Sequence, residues 1–344
     1  METSTPKTRI LVTGASGFLG GNVLKALAAL PGVEPIAACR NAGKLDAGFK
    51  GEVRQGDLMD HAYRAAVVCD VDVVCHAASR AAMWGHAEQE YSHFHQPTID
   101  LINQSIRRRV KRFVQASTVA IGEVRHDKLA HDDFSPTGHT GFWPHLDRLI
   151  DIDQHMRANS RCGTQMVSLR LGHFIGKGNR LGLLPALLPR LRTYLVPWLA
   201  GGQKRMPLVS DADLGQAFAL AATADGLDDY ESFNICGSEF PTMREVIDFI
   251  ATETGFPRPL YSVPYPAGHA FGWLMEKLHP ILPGSSPFLT RSIVHLSEDW
   301  LCPNDYAEKK LGYRPQKDWR IAVREHLADL GELGYPWPNL AQAS

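Results

Sequence analysis

No tyrosine occurs between Tyr91 and Tyr194, so the middle of this 344-residue chain offers no phenolic acid. Cysteine is sparse and unpatterned. The six, at positions 39, 69, 75, 162, 236 and 302, form no CxxC and no repeated spacing, which argues against a disulfide framework or a cysteine-based metal site. Several sit in apolar, strand-like runs, where a free thiol packs as a small hydrophobe, and a reducing cytoplasm is the expected setting. Charge of one sign is not in excess: Lys plus Arg (36) nearly balance Asp plus Glu (37), so no overall field steers the chain toward nucleic acid or an anionic membrane. The one basic run, RRRVKR at residues 107 to 112, reads as a solvated helix end before a strand. Long hydrophobic runs are missing too. METSTPKTR lacks the apolar core of a signal peptide. LGLLPALLPRLRTYLVPWLAG is broken by Arg190, Arg192 and three prolines short of the roughly 18 unbroken apolar residues that a membrane span needs. A soluble chain is expected, with at most an apolar surface touching lipid.

With 44% hydrophobic and 21% charged residues, the chain can bury a large core in one α/β unit or two lobes. Short β-branched runs (RILVT, EPIAACR, VDVVCHA, KRFVQAS, QMVSLRL) alternate with helical periods (FLGGNVLKALAAL, QPTIDLINQSI, LDRLIDIDQHM). Strands spaced by helices of this length imply right-handed crossovers and a buried, doubly wound parallel sheet. After about Gly172 the composition changes. Prolines, tryptophans and leucines crowd residues 181–201 and again 264–288, which predicts a smaller, mostly helical, apolar lobe. The expected division is residues 1–175, with returning pieces at about 205–240, for the sheet domain, and 176–204 plus 241–344 for a substrate-binding lobe. Trp143, Trp198 and Trp273 are expected in the core.

ILVTGASGFLGGNVLKAL sets Gly14, Gly17 and Gly20 directly after a strand and at the start of a helix. In that context Gly14 permits a tight turn, Gly17 lets backbone approach a pyrophosphate and Gly20 allows close helix–strand packing. The second strand ends in CRNAGK, where an NAD-selective site would offer a carboxylate to the ribose 2′-hydroxyl. Arg40 stands there, with Lys44 four residues on. An arginine suits a 2′-phosphate, so NADP(H) is favoured over NAD(H); the competing account is a pair of solvated loop cations.

TGASGFLG, GDL at 56–58, HAA at 76–78, QASTVAIG at 115–122, SLRLGHFIG at 168–176 and VSDADLGQAF together resemble the extended short-chain dehydrogenase/reductase family, over roughly residues 8–330. The segment PYPAGHAFGWLMEKLHPIL is similar in character to the 3β-hydroxysteroid dehydrogenase-like branch. The resemblance implies a Rossmann fold with Gly14, Ser16, Gly17, Phe18, Leu19 and Gly20 at the pyrophosphate. It implies Asp57 and Leu58 at the adenine, and Ala77 and Ala78 under the ribose and nicotinamide side. The family's active-site serine, five residues before the glycine of QASTVAIG, falls on Ser117, with Thr118 as the fallback.

The family also implies a Y-x-x-x-K helix. Pro144 and Asp153 of PHLDRLIDIDQHM match its flanking residues, which puts His145 on the tyrosine and Leu149 on the lysine. A phenol titrates near about pH 10 and needs the lysine to lower it; leucine can neither do that nor hold the nicotinamide ribose. A free imidazole titrates near about pH 6.5 without help, so His145 in that place could exchange a proton with substrate. The alternative is a packed wall residue on an apolar helix face.

His86, His93 and His95, and His126, His131 and His139, crowd two connecting segments, but no metal site is expected: His93 and His95 would share a direction only on a strand. His173, where the family often keeps a substrate-side asparagine, is expected either to touch substrate or to cap the strand, and Trp84, in a loop following the HAA strand, is a substrate-side candidate for shaping an apolar pocket. The function these features imply is an atypical NADP(H)-dependent oxidoreductase acting on a bulky apolar alcohol, ketone or activated alkene. A non-redox isomerase, cyclase or lyase on the same fold, or a dinucleotide-sensing binding protein, are the alternatives. A homodimer is plausible by family analogy.

Overall fold

The computed structural model describes residues 7–281 and 287–332. Its strands are β1 (Thr8–Thr13), β2 (Val33–Cys39), β3 (Glu52–Gln55), β4 (Val73–His76), β5 (Arg112–Thr118), β6 (Gln165–Leu171), β7 (His173–Ile175), β8 (Trp198–Leu199), β9 (Leu208–Ser210), β10 (Tyr230–Ile235) and β11 (Ser262–Val263). The α-helices are α1 (Phe18–Ala28), α2 (His61–Val67), α3 (Ala87–Glu90), α4 (Gln96–Arg107), α5 (Pro144–Asn159), α6 (Leu183–Leu191), α7 (Asp211–Thr223), α8 (Met243–Thr254), α9 (Tyr265–Leu278), α10 (Arg291–Leu296), α11 (Asp305–Leu311) and α12 (Trp319–Glu332).

Seven strands form one parallel sheet in the order β3-β2-β1-β4-β5-β6-β10. Its central strands are apolar along their length rather than alternating, because helices cover both faces. On one face Ile10, Val12 and Val114 meet Val23 and Leu27 of α1 and Phe218 and Ala221 of α7. On the other, Leu11, Val74 and Phe113 meet Leu101 and Ile102 of α4 and Leu146 and Ile150 of α5. The order of connection reverses between β1 and β4, so the carboxyl ends of those strands open a crevice, the place where such sheets bind ligands.

Outside the sheet, β7 pairs with β9 and β8 with β11. Leu184 and Leu188 of α6, Val246 and Ile250 of α8 and Trp319 and Val323 of α12 make a third apolar cluster. Trp143 and Trp198 are buried, but Trp273 is 48% exposed, contrary to the core position expected for it. The cause is the packing of α9, whose buried residues are Gly268 and Gly272. A Cβ on Gly272 would stand 3.0 Å from the Arg291 backbone nitrogen, so at the glycines α9 packs by its backbone, with Glu276 and His269 reaching Arg291 and Phe142 beside them. Phe271, Trp273 and Leu274 are left outside.

Candidate active site

The crevice begins at the glycine turn. Gly14 has φ +65°, a left-handed conformation that favours glycine, and a Cβ there would lie 2.8 Å from Ala78 Cα. The turn closes through Gly17 N–H donating to the Gly14 carbonyl at 2.9 Å. A Cβ on Gly20 would fall 2.3 Å from that same carbonyl oxygen, so the helix can seat this close only without a side chain. The first helical bond of α1 is Gly21 N–H to Gly17 O; the amides of Phe18, Leu19 and Gly20 precede it and are free for an anion. Ser16 and Gly17 are exposed beside them. Gly14 thus lies against the backbone of Ala77 and Ala78.

Arg40 is exposed immediately after β2, the neighbour of β1, and Lys44 is exposed in the turn that follows. Among the described residues neither has an ion pair. Gly56 N–H donates to the Cys39 carbonyl at 3.1 Å, which brings the end of β3 beside that of β2. Next to it Asp57 is exposed, its Oδ1 accepting from Met59 N–H, and Leu58 packs half-buried on the α4 side. A cradle that any Cβ would fill, free helix amides and unpaired cations at the second strand fit a nicotinamide dinucleotide.

Below the crevice, β4 ends on His76, opposite Thr13 of β1 and Gln115 of β5. Its environment fixes its tautomer. Thr98 Oγ1 donates to the Phe94 carbonyl at 2.7 Å, so it can only accept from His76 Nε2, at 3.1 Å. Nδ1 then accepts from Thr13 Oγ1 at 2.7 Å, and that oxygen in turn accepts from Ala78 N–H at 3.4 Å. Burial without a nearby charge lowers the pKa of His76 to about 4, so the ring is a neutral pin joining the sheet, α4 and the cofactor loop.

Ser117 lies two residues beyond the end of β4 on the same sheet edge. It is buried, and among the described residues its Oγ has no hydrogen-bond partner. Thr118, the fallback, is committed to structure: its side chain caps the short turn Val119–Ile121 through Ala120 N–H. That turn packs against α5.

The start of α5 is held by several bonds. Asp147 accepts from Thr140 and Gly141 N–H, and Thr140 Oγ1 accepts from Trp143 N–H. His145 follows, 6% exposed. Its Nδ1 is 2.9 Å from Glu90 Oε2, and Glu90 is 0% exposed. Glu90 Oε1 accepts from Ala82 N–H at 3.1 Å, while the Ala82 carbonyl accepts from Trp143 Nε1 at 2.9 Å. Trp143, Ala82, Glu90 and His145 therefore form a closed circuit. Phe94 lies against the imidazole, ring centres 5.0 Å apart. Leu149, which the resemblance sets where the family has its lysine, is buried in the apolar cluster. Farther along α5, Asp153 accepts from Tyr230 OH at 2.6 Å and pairs with Arg157.

The substrate-side candidates divide. Trp84 meets His279 edge-on, ring centres 4.6 Å apart, and so touches the apolar lobe. Ser292 Oγ donates to the Met83 carbonyl, so the loop carrying Trp84 is held at two points by residues of the C-terminal region. His173 begins β7 with a buried Nε2 that has no partner among the described residues, and desolvation lowers its pKa to about 4. His295 of α10, not foreseen from sequence, donates through Nε2 to the Ala120 carbonyl at 3.1 Å and sits beside Trp143; burial lowers its pKa. His93 and His95 belong to a π-helical turn, Tyr91–His95. Among the described residues no cluster of three or more His, Cys, Asp or Glu could hold a metal ion, and no helix is long and apolar enough to cross a membrane.

Similarity to known proteins follows the same outline. Residues 10–236 match the model of the NAD dependent epimerase/dehydratase family. A 2-alkyl-3-oxoalkanoate reductase of Stenotrophomonas maltophilia is 27% identical over 94% of this chain and 98% of its own. The 4-hydroxy-2-methyl-3-oxo-4-farnesyl-3,4-dihydroquinoline-1-oxide ketoreductase of Stigmatella aurantiaca is 23% identical over 95% and 96%. Among solved structures, the dTDP-glucose 4,6-dehydratase DesIV of Streptomyces venezuelae, with NAD and TYD bound, superposes with a TM-score of 0.75 at 20% identity, covering 97% of this chain and all of the other. The chain belongs to the NAD dependent epimerase/dehydratase family, of the extended short-chain dehydrogenase/reductase kind.

Proposed function

We propose that this protein is an NADP(H)-dependent oxidoreductase that transfers hydride to a bulky apolar ketone or activated alkene, or from the corresponding alcohol, with His145 in the place of the usual tyrosine. The observation that carries the reading is the Ser117 hydroxyl, buried at the sheet edge with no partner. A buried polar atom left unpaired costs roughly 1–3 kcal/mol, and a substrate oxygen would satisfy it. Bound NADP(H) would supply or accept the hydride. Phe18, Leu19 and Gly20 amides hold its pyrophosphate, and Arg40 and Lys44 its 2′-phosphate. Ser117 donates to the substrate oxygen as charge develops there, and His145 exchanges the proton. Trp84 and His173 border the substrate.

Support for the substrate class comes from relatives named as reductases of 2-alkyl-3-oxoalkanoates and of a farnesylated quinoline oxide. The test is to measure binding of NADPH and NADH, then to follow nicotinamide absorbance with ethyl esters of 2-alkyl-3-oxoalkanoic acids, long-chain ketones and enones. Tight NADPH binding and its oxidation by members of this panel are expected. The second reading, a non-redox enzyme or a dinucleotide sensor, draws on Leu149, which leaves the nicotinamide ribose without the usual lysine. Tight binding with no oxidation by any compound would favour it; no binding of either nucleotide would exclude both the reductase and the sensor.

A further inference from the structure

Glu90 is a carboxylate with no exposed surface, while Glu88 and Gln89 beside it face water. A buried carboxylate is tolerated only where its oxygens are engaged. One oxygen accepts from the Ala82 amide and the other faces His145 Nδ1. Carboxylate oxygens only accept, so Nδ1 carries the hydrogen whether the ring is neutral or charged. Nε2 has no hydrogen-bond partner among the described residues, and it is not one of the unpartnered atoms sealed from solvent. Other charged groups near α5 are engaged elsewhere: His95 and Arg148 with Asp151, Asp147 with the Thr140 backbone, and His295 with the Ala120 carbonyl.

We infer that Glu90 is a positioning residue for proton transfer: it fixes the Nδ1–H tautomer and the ring angle of His145, and so makes Nε2 the atom that exchanges a proton with the substrate. The inference rests on the role proposed above for His145. In reduction, the substrate carbon takes hydride from the reduced nicotinamide as imidazolium Nε2 gives its proton to the oxygen. The C=O π bond is replaced by C–H and O–H. The neutral ring keeps Nδ1–H on Glu90 and regains its proton from water. In oxidation, the Nε2 lone pair takes the hydroxyl proton. Throughout, the Glu90 charge offsets the imidazolium, so no isolated buried cation forms.

Glu90→Gln is the informative variant because the Ala82 amide needs an oxygen. The glutamine must give that amide its Oε1, which turns its NH2 toward His145 Nδ1 and drives the ring to the Nε2–H tautomer. Two-bond 15N–1H correlation NMR of 15N-histidine-labelled protein, without cofactor, reads the tautomer; His145→Phe identifies the signal. Nδ1–H is expected in the wild type and Nε2–H in Glu90→Gln. With NADPH and the best ketone of the panel, kcat of Glu90→Gln should fall roughly 100-fold or more, with KM and NADPH affinity little changed. A wild-type ring protonated at Nε2 alone overturns the proposal without reference to turnover, and so does a loss of kcat in Glu90→Gln with the tautomer unchanged. If His145→Phe retains turnover, the role of His145 falls and this proposal with it. If His145→Phe is inactive but Glu90→Gln turns over like the wild type, only the role of Glu90 falls.

Discussion

Acidification should loosen the cofactor crevice through His76. Both its ring nitrogens are satisfied only in the neutral form, with Thr13 donating to Nδ1 and Thr98 accepting from Nε2. Its folded pKa of about 4 lies below the unfolded value of 6.5, so the unfolded chain binds the proton more readily. The stability this ring contributes is fully present above pH 6.5 and is lost as pH falls toward 4. The gap corresponds to about 3 kcal/mol once both states are protonated, of which about 2 kcal/mol is gone by pH 5. Carboxylates titrate in the same range, so the assay must be a difference. Urea unfolding of the wild type and His76→Gln at pH 7 and pH 5 supplies it, because glutamine can accept from Thr13 and donate to Thr98 without a charge. The wild type should lose about 2 kcal/mol more than the variant over that interval. Equal losses, or a folded-state NMR titration of His76 near 6.5, would refute the argument.

Three further outcomes are expected. Arg40→Ala should weaken NADPH roughly 10- to 100-fold, the worth of a hydrogen bond to a charged group, and leave NADH unchanged; isothermal titration with both nucleotides decides, and an equal effect on the two would remove Arg40 from the 2′-phosphate. Gly20→Ala places a Cβ 2.3 Å from the Gly14 carbonyl oxygen, so the turn must shift. The dissociation constant for either nucleotide, read by fluorescence, should rise at least tenfold, and an unchanged value would mean that the turn does not form the cradle. Ser117→Ala should lower kcat by roughly 10²–10³, as for removal of one oxyanion donor. It should raise the thermal midpoint of the substrate-free protein, because Oγ has no partner to lose among the described residues and the cost of burying it unpaired is removed; a large drop in the midpoint with kcat intact would point to a structural hydroxyl.

The glycine turn, the crossovers and the histidine on α5 were legible in sequence because each is local: a strand, a turn and a helix declare themselves within some twenty residues. Glu90 was not. It lies 55 positions before His145, in AEQEYS, which looks like a solvated helix start. A signal was available all the same, since Glu90, Phe94, Thr98, Leu101 and Ser105 are all buried and recur at helical spacing. A carboxylate in phase with an apolar stripe needs a partner, but which partner depends on the packing of α3 against α5. Trp273 failed for a related reason. Large aromatic residues usually seek the core, yet Gly268 and Gly272 chose which side of α9 faces inward, and a tryptophan one position away from a packing glycine is turned out.

Leu149 carries a wider consequence. A lysine in that place would serve two masters, gripping the ribose of the cofactor and adjusting the acid above it, so that neither task could be altered without the other. Here the aliphatic side chain lies in the apolar cluster and takes part in neither, while the partner of His145 arrives on a different segment of the chain. Under the roles proposed for Arg40, His145 and Glu90, nucleotide affinity and proton exchange would be independent variables, open to separate adjustment by engineering at Arg40 on one side and at Glu90 on the other.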